Sequence, residues 1–275
     1  MTGPLLEVSD LTIGYRTGLA RAATAVVHDV SFAVAEGRTV GLVGESGSGK
    51  STIGRAILGL ATPMGGSIRF AGHDVTRLTR RNRRRLARDV QVIFQDPYSS
   101  LNPAMQIRDI LAEPLIAQGR SVRDARARVR ELLDAVHLPA DAARRVPSEF
   151  SGGQRQRVAI ARSLATEPRL IICDEPVSGL DLKTQAHVLD LLIELQQRTG
   201  VAYLFVSHDL SVIRHISHEV IVLLGGRIVE SGPVVEVTGR PRHDYVKRLF
   251  MSSPTADPDE QARRRVALRE LPPRA

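Results

Sequence analysis

The chain has 275 residues, of which 43 % are hydrophobic and 25 % charged, and a formal net charge of +8. This composition is that of an ordinary soluble globular protein with one large domain or two small ones. No apolar run approaches the roughly 20 residues that cross a bilayer, and residues 1–10 do not resemble a signal peptide, so a soluble cytosolic chain is expected. The single cysteine, Cys173, excludes an internal disulfide and a metal site built on several thiolates.

Two strands are predicted before the first motif, at residues 5–15 and 26–35. Tyr15 ends the first of them, where an aromatic ring could stack on an adenine base; an ordinary strand tyrosine is the alternative. A turn at residues 36–38 leads into an apolar run at 40–43, which is predicted to be a buried strand.

A glycine-rich motif follows this strand and precedes a helix predicted at 52–58. It fits G-x-x-x-x-G-K-[ST], the phosphate-binding loop of nucleotide-binding proteins. Its glycines let backbone N–H groups approach phosphate oxygens, and the helix adds its positive end. Lys50 is expected to reach the β- and γ-phosphates and the Ser51 hydroxyl to bind Mg²⁺. The loop consists of Gly44, Glu45, Ser46, Gly47, Ser48, Gly49, Lys50, Ser51 and Thr52.

An arginine-rich segment at residues 77–88 follows a further strand predicted at 67–70, and it contains seven arginines. Together with the net charge, it raises the possibility of nucleic-acid binding. The segment has no aromatic residue for base stacking, and no nucleic-acid motif surrounds it. We therefore favour a solvated face that touches an acidic or lipid surface, and predict no nucleic-acid partner. A buried strand at 90–94 comes next, followed by Gln95.

The pattern changes to helices between residues 96 and 167. Ser121 and Asp124 form a capping-box start. Ser151-Gly152-Gly153-Gln154 opens a later helix, where free amides and a hydroxyl at a positive helix end make an anion site. The phosphate loop already serves the chain's own nucleotide, so this second site indicates a head-to-tail dimer in which each chain covers its partner's γ-phosphate. The first helix has apolar residues at helical spacing: Val122, Ala125, Val129, Leu132, Leu133 and Val136.

Strands return at residues 170–173, 201–206 and 220–224, with a helix at 183–198 that Gly200 ends. Gly225-Gly226 is predicted to close a hairpin into a strand at 227–230. Strands alternating with helices predict an α/β fold with a mostly parallel, covered sheet, into which the helical stretch is inserted. The tail from residue 252 is predicted to be disordered.

Two carboxylates, Asp174 and Glu175, end the strand at 170–173. In a phosphate-loop protein this position puts Asp174 near the Mg²⁺ held by Ser51. Glu175, one residue further on, is then placed to polarise the attacking water. Two adjacent acids by themselves usually mark a solvated strand end, and it is the α/β context that makes them informative.

In this order, the motifs resemble the ATPase subunit of ABC transporters over about residues 5–250. The resemblance implies that Gln95 contacts Mg²⁺ and relays to a membrane partner, that Asp181 organises the dimer interface, and that His208 contacts the γ-phosphate opposite Glu175. The matching segments are the loop at 44–52, Gln95, 151–157, 170–175, 178–181 and 207–209.

The resemblance also implies a fold: a P-loop NTPase (RecA-like) core with an antiparallel β subdomain and an inserted α-helical subdomain. The core with its N-terminal β subdomain would comprise 1–95 and 168–235, the helical subdomain 96–167, and a C-terminal extension 236–275. Two positions depart from the family pattern. Phe150 replaces the usual leucine, which should be tolerated, and Gly179 replaces a common alanine, which should add flexibility.

A finer resemblance to the oligopeptide/dipeptide importer ATPases, and more to their F-type subunit, comes from residues 94–103 and 109–115. Residues 239–245 match that subfamily's C-terminal pattern with two mismatches. This implies two membrane permease subunits, a second, non-identical ATPase subunit, an extracytoplasmic peptide-binding protein acting indirectly, and a location at the cytoplasmic face of the membrane. Some relatives carry an iron–sulfur cluster near this end, but the cysteines for one are missing here.

Three alternatives stay open. A soluble ABC ATPase acting on ribosomes, DNA or iron–sulfur assembly would suit the positive charge, but the chain has one nucleotide module and no long coiled-coil insertion. An ABC ATPase for another substrate, such as nickel, glutathione or an antimicrobial peptide, would share every motif. A small-molecule kinase would use the same phosphate loop, but it leaves the Ser-Gly-Gly helix unexplained.

Overall fold

The structure, a computed structural model, describes residues 3–15, 24–96 and 100–252. Its strands are β1 (Leu6–Tyr15), β2 (Thr24–Val34), β3 (Thr39–Gly44), β4 (Gly65–Phe70), β5 (His73–Asp74), β6 (Val90–Ile93), β7 (Leu170–Asp174), β8 (Ala202–Ser207), β9 (Glu219–Leu224) and β10 (Arg227–Pro233). Its helices are α1 (Lys50–Ile57), α2 (Arg80–Asp89), α3 (Ile107–Ala117), α4 (Val122–Ala135), α5 (Gly152–Leu164), α6 (Leu182–Thr199), α7 (Leu210–Ile216), α8 (Val234–Gly239) and α9 (Asp244–Ser252), with 3-10 turns at Ala140–Arg144 and Pro147–Glu149.

The central sheet has the strand order β10-β9-β3-β8-β7-β6. The five strands from β9 to β6 are parallel, and only β10 runs antiparallel to its neighbour. Every residue of β3 and β8 is buried, as expected for strands covered on both faces. The carboxyl ends of β3, β8 and β7 lie side by side, so the loops that follow them meet at one edge of the sheet. The predicted mostly parallel α/β sheet is confirmed.

The two faces of this sheet pack against different layers. Along β8, Tyr203 and Phe205 belong to a core shared with α3 to α7, whereas Leu204 and Val206 belong to a core shared with α1 and a second sheet. That second sheet is antiparallel, with the order β2-β1-β4-β5. The α/β core therefore carries an antiparallel sheet on one side and helices on the other.

The predicted helical insertion is confirmed, since α3, α4, both 3-10 turns and α5 lie between β6 and β7. Ser121 caps α4, accepting a hydrogen bond from the Asp124 N–H at 3.1 Å and donating one to its carboxylate at 2.7 Å. The prediction that Val122 faces the core is wrong, because this residue is 52 % exposed. Helical side chains lean toward the N-terminus, so the first residue extends past the end of the helix and not onto its buried face.

The arginine-rich segment forms α2, a helix that the sequence analysis did not predict. Thr79 caps it by accepting a hydrogen bond from the Asn82 N–H at 3.2 Å, and Leu86 is its single buried residue. Within the described part of the chain, none of the seven arginines at 77–88 forms an ion pair. The exposure of this face is confirmed, and its contact with an acidic or lipid surface stays a prediction.

One helix end and one hairpin turn lie at the glycines where the sequence predicted them. Gly200 ends α6 in the left-handed conformation with a φ of 72°, and Gly225 and Gly226 close the predicted hairpin with φ values of 54° and 76°.

Cys173 is fully buried, and burial raises the pKa of its thiol. None of the helices in the described ranges has the length and apolar character needed to cross a membrane. The tail was predicted to be disordered from residue 252, but Ser252 is the last residue of α9; the rest of the tail, residues 253–275, lies outside the described residues.

Candidate functional site

The phosphate loop runs from the end of β3 to the start of α1. Gly47 and Gly49 have φ values of 80° and 100°, which L side chains rarely adopt. A Cβ atom at Gly49 would lie 2.7 Å from Cγ2 of Val27, and one at Gly44 would lie 2.3 Å from the carbonyl oxygen of Leu223. Helix α1 begins at Lys50, two residues earlier than predicted, because Gly49 supplies the left-handed turn into it. The glycines are therefore required by the shape of this loop.

Lys50 folds back into the loop that precedes it. Its Nζ donates to the carbonyl oxygens of Gly44 and Glu45, each at 2.8 Å, and the residue is 5 % exposed. Burial lowers the pKa of Lys50, while the carboxylates of Glu175 and Asp174 oppose that shift. A cation is thus held inside the loop mainly by neutral carbonyls, in an arrangement suited to receiving an anionic group.

Ser51 and Asp174 meet as predicted, although 123 positions separate them in the sequence. The Ser51 hydroxyl donates to Oδ1 of Asp174 at 2.8 Å. Burial raises the pKa of Asp174, and the hydrogen bond from Ser51 opposes this shift. A hydroxyl and a carboxylate at one partly buried point are oxygen ligands of the kind that Mg²⁺ takes together with phosphate.

Gln95, Glu175 and His208 come together at the same edge of the sheet. Nε2 of Gln95 donates to Oε2 of Glu175 and to Oγ of Ser178, each at 3.2 Å. Nδ1 of His208 lies 3.0 Å from the same Glu175 oxygen. The side chain of Glu175 is 18 % exposed, so this carboxylate faces a partly enclosed space.

These residues line one open cleft of about 630 Å³. Tyr15 lies at its border and is 40 % exposed, so an aromatic face is available beside the loop. The predicted site residues that line the cleft are Tyr15, Ser46, Gly47, Gly49, Lys50, Ser51, Thr52, Gln95, Glu175 and His208. Gly44, Glu45 and Ser48 belong to the same loop but do not line the cleft.

The Ser-Gly-Gly segment lies elsewhere, at the start of α5. Ser151 accepts a hydrogen bond from the Gln154 N–H at 3.3 Å, and the Gln154 side chain accepts one from the Ser151 N–H at 3.0 Å. This capping box leaves the amides of Gly152 and Gly153, in the first helical turn, without acceptors inside the helix. The helix end therefore has the capping geometry that we expected, and anion binding there stays a prediction.

Asp181 neighbours this helix end. It caps α6 by accepting from the Thr184 N–H at 3.0 Å. Hydrogen bonding by the Thr184 side chain, and after it by the Thr184 N–H, holds the pKa of the Asp181 carboxyl below its usual value. A Cβ atom at Gly153 would lie 2.3 Å from Cγ2 of Thr184, so the two helix ends pack closely. Neither Ser151–Gln154 nor Asp181 lines the cleft around Lys50. The predicted site residues thus form two separate groups within one chain.

Both departures from the family pattern have a structural account. Phe150 is 3 % exposed, and its carbonyl oxygen accepts a hydrogen bond from Nε of Arg155 at 2.8 Å. Gly179 has a φ of 79°, so glycine is the residue that fits this turn best, beyond the flexibility that we expected from it.

Two residues that contact the site were not assigned a role from the sequence. Ser178 accepts a hydrogen bond from Gln95, although it stands within a family segment. The hydroxyl of Tyr245 accepts a hydrogen bond from the Glu45 N–H at 2.9 Å. Tyr245 is 200 positions from Glu45, and the pattern at 239–245 is the signal that could have drawn attention to it.

The family model described as ABC transporter matches residues 27–178. The oligopeptide transport ATP-binding protein OppD of Mycobacterium tuberculosis is 51 % identical over 84 % of this chain and 38 % of its own length. A provisionally named peptide import ATP-binding protein of Brucella ovis is 48 % identical over 98 % of this chain and 84 % of its own. The glutathione import ATP-binding protein GsiA of Pectobacterium atrosepticum is 46 % identical over 96 % and 44 %. The chain thus spans about two fifths of the length of OppD.

Solved structures agree with the fold. The cbiO1 protein of Clostridium perfringens, part of an ABC transporter complex, has a TM-score of 0.77 at 25 % identity, covering 89 % of this chain and 93 % of that one. A dimeric ATP-binding cassette in a post-hydrolysis state, bound to ADP and Pi, has a TM-score of 0.74 at 30 % identity, covering 83 % and 98 %. With the phosphate loop, the acidic strand end and the capped Ser-Gly-Gly helix in place, the chain belongs to the ABC transporter family as one of its ATP-hydrolysing cassettes, which bind ATP with Mg²⁺.

Proposed function

We propose that this chain is the ATP-binding and hydrolysing subunit of an ABC importer for oligopeptides or dipeptides. In this proposal it works as a nucleotide-sandwich dimer with a second ATPase subunit, docked on two membrane permease subunits at the cytoplasmic face of the membrane. A peptide-binding protein outside the membrane delivers the substrate. The observation that carries the proposal is the pair of half-sites in one chain, read with the two peptide-importer relatives.

Different residues of the cleft bind different parts of ATP and its Mg²⁺ ion. The loop amides and Lys50 bind the phosphates of ATP, and Tyr15 stacks on the adenine. Ser51, Asp174 and Gln95 supply the oxygen ligands for Mg²⁺, which when bound offsets the negative charge of the phosphate oxygens. The hydrogen bond between Ser51 and Asp174 supports this assignment, because it already holds two of the three groups together.

Glu175 acts on the attacking water in our proposal. Its carboxylate accepts a proton from the water, whose oxygen forms a bond to the γ-phosphorus while the bond to the β–γ bridging oxygen breaks, giving ADP and phosphate. Gln95 and His208 hold the carboxylate from two sides, at 3.2 Å and 3.0 Å. His208 also contacts the γ-phosphate.

The second half-site completes the first in a dimer. Ser151, Gly152, Gly153 and Gln154 of one subunit cover the γ-phosphate bound by the partner, and Asp181 organises the interface. The packing of Gly153 against Thr184 supports a joint role for these two helix ends, because it makes them one continuous surface. Closing the dimer around ATP drives the permease subunits, and hydrolysis resets it.

Peptide uptake in the native host tests this proposal. A strain lacking the gene should lose uptake of labelled di- and oligopeptides, and the wild-type gene should restore it while a Glu175→Gln gene should not. Membranes of the complemented strain, gently solubilised, should yield the chain together with two permeases and a second ATPase. Normal peptide uptake without the gene would contradict the peptide assignment.

Glutathione is the second candidate substrate, because one relative is named for its import and matches 96 % of this chain. Labelled glutathione in the same strains separates the two candidates. Loss of glutathione uptake with intact peptide uptake would favour this alternative. Co-purification with ribosomal proteins or nucleic acid, and without a permease, would instead support a soluble ABC ATPase.

A further inference from the structure

The last helix of the described chain is tied to the phosphate loop through Glu45. The hydroxyl of Tyr245, at the start of α9, accepts a hydrogen bond from the Glu45 N–H at 2.9 Å. The carbonyl oxygen of the same residue accepts from Nζ of Lys50 at 2.8 Å. The Glu45 peptide groups are therefore held from two directions, one of them through a residue 200 positions away.

Residues 240–252, which we call the C-terminal strap, are anchored by contacts of their own. The carboxylate of Glu230, in β10, accepts hydrogen bonds from the N–H groups of Arg242 at 3.0 Å and His243 at 2.9 Å. Nδ1 of His243 in turn accepts from the Tyr245 N–H at 3.1 Å. Val246 is fully buried in the helical-side core. The strap therefore has a fixed position from which Tyr245 reaches the loop.

The position of Glu45 matters because this residue and Gly44 hold Lys50. The Glu45 N–H lies at an exposed position, where its hydrogen bond to the Tyr245 hydroxyl stabilises one orientation of the Glu45 peptide over the others. That orientation aims the neighbouring carbonyl oxygens at Nζ of Lys50. We propose that Tyr245 is a positioning residue for nucleotide binding, through which the C-terminal strap keeps the phosphate loop and Lys50 ready for the phosphates.

This inference rests on the proposed nucleotide site, but its first test needs no nucleotide. Tyr245→Phe removes only the hydroxyl. Hydrogen exchange of the Glu45 amide in the nucleotide-free chain should become about fivefold faster or more, as expected for the loss of one hydrogen bond. Unchanged protection of this amide would overturn the proposal.

Tyr203→Phe is the matched control. The hydroxyl of Tyr203 likewise takes part in a hydrogen bond, here as the donor to the Leu192 carbonyl oxygen at 3.0 Å, but it is buried in the core away from the loop. This variant should lower the melting temperature without changing exchange at Glu45. For Tyr245→Phe we also expect the KM for ATP to rise roughly fivefold while kcat changes less than twofold. A fall in kcat with an unchanged KM would contradict a positioning role.

Glu230→Ala tests whether the strap as a whole carries the effect. It removes the acceptor for Arg242 and His243, so ATP binding should weaken in the same direction as in Tyr245→Phe. The double variant should bind ATP about as weakly as the weaker single variant, because both changes break one connection. Fully additive losses would overturn the strap mechanism. If the wild type failed to bind ATP, the nucleotide site itself would be refuted, while the exchange result would still report on the contact.

Discussion

Glu175 adopts the left-handed backbone conformation, with a φ of 49°. A non-glycine residue in this region costs about 1–3 kcal/mol and persists where its surroundings hold it. Here its N–H donates to the Val206 carbonyl oxygen at 3.0 Å, and its carboxylate contacts Gln95 and His208. The turn separates two adjacent acids, so Asp174 contacts Ser51 while Glu175 faces the other side of the cleft.

Glu175→Gln tests the role in ATP hydrolysis that we propose for this single residue. The amide keeps the shape of the side chain but is a far weaker proton acceptor, so ATP hydrolysis should fall by about 10²- to 10⁴-fold while ATP binding stays intact. With ATP the variant should also accumulate as a dimer in size-exclusion chromatography. Glu219→Gln, at the exposed start of β9, serves as the control and should hydrolyse ATP normally. Hydrolysis by Glu175→Gln within twofold of wild type would contradict the assignment.

Two helices of the insertion begin with the same serine cap but differ in location. Ser121 caps α4 and Ser151 caps α5, each by accepting a hydrogen bond from the N–H three residues later. Only the second helix points a Ser-Gly-Gly turn at the proposed dimer surface. Comparing variants of the two caps therefore distinguishes the contribution of a cap to helix stability from its contribution to function.

Ser151→Ala and Ser121→Ala should each lower stability by about 1 kcal/mol, the usual value of an N-cap. Only Ser151→Ala should also reduce ATP hydrolysis, because in our proposal its hydroxyl binds the partner's γ-phosphate. Thermal unfolding and steady-state ATPase assays on both variants provide the comparison. Equal ATPase activities would indicate that the Ser151 hydroxyl is a helix cap and nothing more.

The β9–β10 hairpin turn connects the two sheets. The Gly226 carbonyl oxygen accepts a hydrogen bond from the His28 N–H of β2 at 2.8 Å. A Cβ atom at Gly226 would lie 2.3 Å from the Val26 carbonyl oxygen, whereas one at Gly225 would meet no atom within 4 Å. Both glycines have positive φ, but only the second lies against another strand.

Alanine at these two positions should therefore have unequal effects. Gly225→Ala adds backbone strain alone, about 1–2 kcal/mol. Gly226→Ala adds a clash with backbone as well, so its loss of stability should exceed that of Gly225→Ala by roughly 1–3 kcal/mol. Chemical denaturation measures both, and equal losses would show that β2 and the turn do not pack as described.

At the scale of the whole molecule, the predicted site is divided between two surfaces. The cleft around Lys50 and the helix ends at Ser151 and Asp181 are separate in one chain, which is the arrangement that a head-to-tail dimer needs. The densest run of arginines, on the exposed helix α2, does not line this cleft.

Replacing Arg81, Arg84 and Arg85 together with alanine tests the role of that charge. These exposed residues have no ion pair within the described chain, and arginine and alanine both favour helices, so each change should alter stability by less than about 0.5 kcal/mol. ATP hydrolysis by the isolated subunit should be unchanged. Tight DNA or RNA binding at physiological salt that disappears in the variant would contradict our prediction of no nucleic-acid partner.

Short sequence motifs predicted many of the residues of the site, but they predicted fewer of the elements around it. The meeting of Asp174 with Ser51 was predicted from the phosphate loop and the acidic strand end, because parallel strands end at one edge of a sheet. The family resemblance placed Gln95 beside Mg²⁺ and did not predict its hydrogen bond to Glu175. The same local logic missed helix α2, whose arginines give no apolar stripe, and placed Val122 on the wrong surface. An apolar stripe shows which residues of a helix face the core, but not where the neighbouring elements stop covering it.

The sequence by itself determined the nucleotide-binding chemistry, because the phosphate loop, the acidic strand end and the capped Ser-Gly-Gly helix are each written in a few adjacent residues. Tertiary structure alone decided the contact between Tyr245 and Glu45 and the left-handed turn at Glu175. Those features depend on which distant segments the sheet order and the two cores bring together. No short run of residues encodes them, since each is a property of packing and not of local conformational preference.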